Sequence, residues 1–251
     1  MTMQDHKETV SFGFQDVPVN VKETLVKHVF SSVAESYDLM NDLMSGGVHR
    51  LWKNFMVSQI SPRPNLHILD VAGGTGDISF RMSERFPDGD LTLCDINPEM
   101  LEVGKRRAIE RGLQNRISWV CGDACQMPFD DYSYDVYTIA FGLRNVTDTQ
   151  GAINDAYRVL KPGGQYLCLE FSTVALPILR EAYEKYSFNV VPKIGRYVAR
   201  NEEAYQYLVE SIARFPNQET LEGMMKTAGF ERVSHINLVG GIAALHIGWR
   251  V

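Results

Sequence analysis

From position 21 the apolar residues fall at Val21, Leu25, Val29, Val33, Tyr37 and Met40. Steps of three and four put them on one stripe of a helix. A second helix is predicted over residues 48–60, with Leu51, Phe55 and Met56 inward. The run Ser61-Pro62-Arg63-Pro64-Asn65 then breaks it. Residues 21–64 therefore read as a helical preface, expected to lie over a pocket as a lid. The first twenty residues are polar, show no clear period, and are expected to be a flexible arm.

After Asn65 the rhythm changes. Short apolar runs at 66–71, 91–96, 117–121, 136–141 and 165–171 predict strands. Helical patterns lie between them, running to Phe86, to about Arg111, and from a cap at Asp148 to Leu160 before Pro162-Gly163-Gly164. Strands alternating with helices predict an α/β fold: a parallel sheet with helices on both faces. Past Phe171, Leu176, Leu179, Tyr183, Tyr186 and Val190 are spaced 3, 4, 3 and 4, a helix stopped near Pro192. Two more helices are predicted at 203–215 and 217–228, with Gly229 as C-cap. Residues 233–249 carry no Asp, Glu, Lys or Arg, yet Asn237, Gly240 and two histidines suit two strands about the Gly240-Gly241 turn better than a membrane span. A turn cannot make a parallel crossover, so the last strand should run antiparallel. The core is thus 65–171, the helical insertion 172–229 and the closing strand pair 230–251.

Charge narrows the function. Lys and Arg number 25 against 31 Asp and Glu, a net charge of −6 that opposes a phosphate backbone and argues against nucleic acid as a partner. Cys94, Cys121, Cys125 and Cys168 are too sparse for a disulfide scaffold and lack zinc-site spacing. They read as buried thiols on strands in a reducing compartment, with no metal site. The N-terminus has no basic segment leading to an apolar run, so no signal peptide is expected. Lys105, Arg106, Arg107, Glu110 and Arg111 read as a solvated helix face, or as a contact with anionic lipid.

Candidate chemistry begins at Ile68-Leu69-Asp70-Val71-Ala72-Gly73-Gly74-Thr75-Gly76-Asp77, which follows the first strand of the core and opens a helix. Open parallel sheets bind ligands at the carboxyl ends of their strands. Asp95 ends the next strand, where a carboxylate can accept both hydroxyls of a ribose. The dinucleotide pattern G-x-G-x-x-G fails from Gly74, because the third glycine would be Ser79, and from Gly73, because the second would be Thr75. The loop instead reads D-x-A-x-G-x-G. It resembles motif I of S-adenosylmethionine-dependent methyltransferases, with Ala72 where a first glycine often stands. Gly122-Asp123-Ala124 after the third strand, residues 129–135 before the fourth and 160–164 before the fifth agree with that pattern.

The chain is further similar, from about Phe12 to Val251, to the ubiquinone/menaquinone-biosynthesis C-methyltransferases. The more specific runs are Tyr37-Asp38-Leu39-Met40-Asn41-Asp42, His49-Arg50-Leu51-Trp52-Lys53, Phe141-Gly142-Leu143-Arg144-Asn145-Val146 and Tyr207-Leu208-Val209-Glu210-Ser211-Ile212. The resemblance implies a Rossmann-like class I fold with a mostly parallel seven-stranded sheet. It implies methyl transfer from S-adenosylmethionine to a ring carbon of a polyprenylated benzoquinol or naphthoquinol. Asp70, Gly74, Thr75, Gly76, Asp95, Asp123 and Ala124 are the cofactor-site candidates. Ala140 departs from the serine that some members carry there. Tyr37, Asn41, His49 and Tyr186 are the substrate-site candidates. A peripheral membrane contact, other quinone-biosynthesis proteins and a homodimer are the implied partners. The implied setting is the cytoplasmic face of a bacterial membrane, or the mitochondrial matrix.

Aligned methyl transfer to carbon needs an electron-rich ring, and a phenolate is stronger than a phenol. Arg144, always charged near neutrality and just past the fourth strand, is the candidate for lowering the quinol hydroxyl pKa, directly or through water. Asn145 is the candidate for holding the ring oxygen, and water for taking the ring hydrogen. A structural ion pair for Arg144 stays open. So do core roles for Tyr37, His49, Tyr183 and Tyr186, of which the last two otherwise line a channel for the prenyl tail. Three other functions stay open as well: a methyltransferase for a sterol or another phenol, a nicotinamide oxidoreductase, and a cofactor-binding scaffold without turnover.

Overall fold

In a computed structural model, residues 9–33, 42, 45–175, 177–194, 196 and 202–251 are described, excepting some of their side chains. A sheet of β3 (His67–Val71), β4 (Asp90–Asp95), β5 (Ile117–Cys121), β6 (Tyr134–Ala140), β7 (Leu160–Phe171), β8 (Glu231–Leu238) and β9 (Ala243–Trp249) runs in the order β5-β4-β3-β6-β7-β9-β8. The pairs from β5 across to β7 are parallel, while β9 is antiparallel to both β7 and β8. The sheet is mixed as expected, and the connection between Leu238 and Ala243 is too short for a crossover. The strands alternate their apolar residues between two cores, as a period of two requires. Leu167 and Leu169 enter one core with Trp52, Phe80 and Phe141, whereas Tyr166 and Cys168 enter the other with Tyr137, Ile153 and Phe230.

Helices α3 (Asp77–Arg85), α4 (Pro98–Glu110) and α5 (Thr149–Val159) connect the parallel strands. Their starts follow local chemistry. Asn97 caps α4 by accepting from the Glu99 and Met100 amides, with Pro98 at the first helical position. Asp148 caps α5 through the Gly151 amide. Gly229 takes φ +106 just past α9 (Gln218–Thr227), which ends that helix as predicted. The helix expected to stop near Pro192 ends earlier, as α6 (Pro177–Asn189), and Pro192 lies near the start of the short α7 (Val191–Ile194). That position needs no amide donor, so proline is tolerated there. The third described helix of this region, between α7 and α9, is α8 (Glu202–Arg214).

Three expectations for the arm and the preface change. Residues 9–18 are not a loose arm but a hairpin, β1 (Thr9–Phe12) and β2 (Gln15–Pro18). Strands of four residues are too short to show a period. This hairpin gains its hold from α8: Phe12 stacks on Tyr207 at 4.3 Å, and the Phe14 amide donates to Glu210 at 2.9 Å. On α1 (Val19–Val33), Lys22 and Val26 are the buried positions while Val21 is exposed, so the inward stripe is turned by one residue. Lys22 reaches a backbone acceptor, the Val146 carbonyl at 2.9 Å, which is what lets a lysine point inward. On α2 (His49–Ser58), Trp52, Met56 and Val57 are buried and Leu51 is 66% exposed, not inward. The cysteines divide as well. Cys94 and Cys168 are buried, whereas Cys121 is exposed and Cys125 half-buried.

Candidate functional site

The chain runs from β3 outward to β5 and then returns to β6 on the other side of β3, so the carboxyl ends of β3 and β6 flank the point where strand order reverses. A cleft of about 1140 Å³ opens there. Its floor is the glycine loop, its wall the ends of β4 and β6, and its cover α1 through Glu23, Val26, Lys27 and Phe30. Asn97 ties that cover down, its side chain donating to Ser31 Oγ at 3.1 Å.

The loop's shape comes from crowding. Gly73 carries no Cβ because one would sit 2.5 Å from Leu93 Cγ. Ala72 and Gly74 take φ +50 and +54. Across the cleft, Phe141 takes φ +57, and a Cβ on Gly142 would lie 2.4 Å from the Ala72 methyl. The backbone at Gly142 (φ −113) suits any residue, so its constraint is that methyl alone. Gly142→Ala is therefore expected to cost about 1–3 kcal/mol by overpacking. Adding Ala72→Gly should return most of it, as read by urea denaturation. Additive losses in the double variant would refute this account.

Two carboxylates are buried beneath the loop. Asp70 accepts from Ser79 Oγ at 2.7 Å and Thr138 Oγ1 at 2.9 Å. Asp95 accepts from the Gly74 amide and the Asn97 amide, each at 2.8 Å, one on each oxygen. Burial pushes both pKa values up to about 6, against the hydrogen bonds that hold them down. Charged groups kept dry at such a cost cluster at functional sites. Asp123, on the far side, organises its own turn by accepting from the Cys125 amide at 2.9 Å.

Asp70, Gly74, Thr75, Asp95, Asp123, Ala124 and Asn145 all line this cleft, as does Ala140, whose methyl offers no hydroxyl contact. Gly76 does not line it. With φ +89 it turns the loop into α3, packed where a Cβ would press on Phe80 and Trp119 at 3.0 Å. Thr75 receives Arg107 Nη1 at 3.0 Å, so that member of the basic run is not on the solvated face, unlike Arg106 and Arg111.

Charge and donor geometry say what the cleft accepts. Its described lining holds the carboxyl groups of Glu23, Asp70, Asp77, Asp95 and Asp123 against the amines of Lys27 and Lys53. The loop amides of Gly73, Gly74 and Gly76 are engaged by Cys94 O, Asp95 Oδ2 and Gly73 O. A pyrophosphate would meet excess negative charge and would find those three donors occupied. S-adenosylmethionine fits: its sulfonium and ammonium outnumber its carboxylate, and Asp95 keeps a lone pair on each oxygen for hydroxyls.

Arg144 is elsewhere. It sits in a short 3₁₀ turn, Leu143–Asn145, and does not line the main cleft. Its Nη1 donates to Glu170 Oε1 at 2.7 Å and to the Phe141 carbonyl at 2.6 Å, with its side chain fully buried. In this structure it makes the structural ion pair that was one of its two readings. Its Nε and Nη2 have no hydrogen-bond partner among the described residues. Asn145 faces the cleft and accepts from Tyr207 Oη at 3.1 Å, which ties α8 to the site.

The substrate candidates are not gathered in this cleft. Tyr37 and Asn41 lie outside the described residues. His49 is buried against Ser45 Oγ at 3.0 Å, does not line the cleft, and is pushed down to about 4 by burial and by the Lys53 charge, so it is neutral at pH 7. Tyr186 is half-buried against the core. Tyr183 borders a second cavity, with Arg180, Ser187 and Phe188. The lining residues not singled out in the sequence include Glu23, Val26, Lys27 and Phe30 on α1, with Asn97, Lys53 and Asp77. Lys53 closes the run His49-Arg50-Leu51-Trp52-Lys53, the one signal that could have found it.

Comparison with known proteins agrees with this geometry. The model of the ubiE/COQ5 methyltransferase family matches residues 18–250. Over 243 residues the chain is 54% identical to the ubiquinone/menaquinone biosynthesis C-methyltransferase UbiE of Cereibacter sphaeroides (strain ATCC 17029 / ATH 2.4.9), covering 97% of each. It is 52% identical to the mitochondrial 2-methoxy-6-polyprenyl-1,4-benzoquinol methylase of Oryza sativa subsp. japonica, covering 98% of this chain and 90% of that one. Among solved structures, a methyltransferase of Thermotoga maritima, described as a possible histamine N-methyltransferase, has a TM-score of 0.63 at 19% identity. The match covers 90% of this chain and 100% of that one, a likeness of fold alone.

Proposed function

This chain belongs to the ubiE/COQ5 methyltransferase family, and from that premise we propose that its methyl acceptor is a ring carbon of a polyprenylated quinol, either 2-polyprenyl-6-methoxy-1,4-benzoquinol, demethylmenaquinol or both. The chain is an S-adenosylmethionine-dependent C-methyltransferase of class I fold. The observation that carries the reading is the net-acidic cleft at the strand-order switch, with Asp95 buried, doubly hydrogen-bonded and still facing the lining. Those features suit this cofactor and disfavour a nicotinamide dinucleotide.

The cofactor, when bound, supplies a methyl group on a positively charged sulfur. Everything else is done by the chain. Asp95 holds hydroxyls, and α1, fixed by Asn97 and by Lys22, keeps water from the cleft. Asn145, steadied by Tyr207, holds a ring oxygen of the acceptor. Arg144 lies one residue behind it, outside the cleft lining, with Nε and Nη2 unpartnered among the described residues, and favours through water the phenolate that makes the ring carbon nucleophilic. With the cofactor bound, the ring carbon would take its methyl group and the ring hydrogen would leave as a proton to water. Use of the second cavity, beside Tyr183, by the prenyl tail is part of the same proposal. So is work at a membrane surface as a peripheral protein. No helix among the described residues is long and apolar enough to cross a membrane.

The test is transfer of labelled methyl from S-adenosylmethionine to short-tailed demethylated benzoquinol and naphthoquinol, side by side under reducing conditions. Label on the ring carbon of one or both is expected and sets the substrate breadth. Cofactor binding without label on either would sink the quinol assignment and favour a sterol or another phenol as acceptor, or a scaffold.

A further inference from the structure

The cleft has one deeply buried cation. Lys27 and Lys53 are the only positive side chains among the described residues lining it. Lys27 sits at the rim, 37% exposed, and pairs with Glu23 one turn back on α1 at 2.7 Å. Lys53 has a side-chain exposure of 4% and projects from α2, which Trp52, Met56 and Val57 anchor in the core. Its Nζ donates to Asp77 Oδ2 at 2.8 Å.

That bond uses one donor of three. Lys53 makes no other hydrogen bond among the described residues. Asp77 is held from its other side, since Arg81 Nη2 lies 3.1 Å from its Oδ1. Burial works against the Asp77 charge, but Lys53 and Arg81 together hold its pKa below the usual range. The Arg81-Asp77 pair therefore fixes where the lysine stands, beside the loop and with donors to spare. A buried ammonium needs acceptors for those donors. The cofactor brings one anionic group, the α-carboxylate of its methionine part, and that group needs a cation if it is to leave water.

We infer that Lys53 binds this α-carboxylate, and so sets the preference of the site for ligands that carry it. The inference rests on S-adenosylmethionine as the cofactor. Asp77 is then a positioning residue.

The test is calorimetric titration of the full chain with S-adenosylmethionine and with decarboxylated S-adenosylmethionine, which keeps the sulfonium and the ammonium. Wild type is expected to prefer the carboxylated compound by about 100-fold, the scale of a buried charge-assisted hydrogen bond. In Lys53→Met that preference should shrink to about threefold or less, with affinity for the decarboxylated compound nearly unchanged. Lys53→Arg should keep much of it. If Lys53→Met does not fold, the double substitution Lys53→Met with Asp77→Asn leaves no orphaned charge in the pair, and the same loss is expected. Equal binding of the two compounds by wild type, or a preference undiminished in a folded variant, would overturn the assignment. Wild type that binds neither compound would instead overturn the cofactor reading beneath it.

Discussion

Arg144→Met is expected to cost the fold about 3–5 kcal/mol, and Glu170→Gln in the same chain should return part of that loss. The pair is fully buried, 2.7 Å apart, so removing the guanidinium leaves Glu170 without a counter-charge. Burial already pushes the Glu170 pKa up despite Arg144 and the amides of Phe171 and Arg144 that hydrogen-bond to it. A neutral glutamine removes the stranded charge but keeps an acceptor for only one of those amides, since they donate to different Glu170 oxygens. The two substitutions should be strongly non-additive, because each single change leaves the other partner unpaired. Thermal or urea unfolding of the four proteins reads this cycle directly. The double variant also separates the two roles of Arg144. In a folded double variant, turnover at saturating quinol should still be down about 10²–10³-fold, the scale of losing one group that stabilises developing negative charge. A stable double variant with normal turnover would make Arg144 a structural residue only.

That dual reading shows what was and was not legible along the chain. The strand runs, the loop and the caps are local signals. Asp148 and Asn217 cap their helices where polar side chains meet helical periods, and the strand runs at 91–96 and 117–121 match β4 and β5 within a residue. Asp70 and Asp95 were legible because each ends a strand beside a glycine loop. Pairing across sequence was not. Glu170 hides in the apolar run of β7, 26 residues from Arg144, with nothing local to mark it as the partner. The face of α1 was misread for a related reason. Lys22 looks solvent-seeking until the Val146 carbonyl, 124 residues away, gives it an acceptor. The hairpin at 9–18 was invisible because its hold lies in Tyr207 and Glu210 of α8, not in its own two short strands.

Asp95→Asn should pull binding and stability apart. Each Asp95 oxygen already accepts one amide, from Gly74 or Asn97, and keeps one lone pair for a hydroxyl of the ligand. An asparagine presents one oxygen and one NH₂ group, so one of the two amides faces a donor and one ligand hydroxyl loses its acceptor. Cofactor affinity at pH 7.5 is expected to fall about 10²–10³-fold. Stability should not fall with it. The native pKa of Asp95 stands at about 6, above the value of about 4 for an unfolded chain, so its ionisation disfavours the fold at neutral pH. A gap of about two units corresponds to about 3 kcal/mol, offset by about 1–3 kcal/mol for the amide that asparagine leaves unsatisfied. The sign fixes the pH window. A raised carboxyl pKa gives wild type stability that is full below about 4 and lost as pH rises through about 6. The variant lacks that dependence. Its stability relative to wild type should therefore improve between pH 4 and pH 7, leaving it close to wild type or above it at pH 7. Wild-type cofactor affinity should weaken below pH 6 as Asp95 takes up its proton, and the variant should lose that share of the slope. Urea unfolding at pH 4.5 and 7.5 beside cofactor titrations at the same values reads all of this. A variant that binds cofactor normally, or whose stability relative to wild type declines as pH rises, would show that the Asp95 charge is not what the loop is built around.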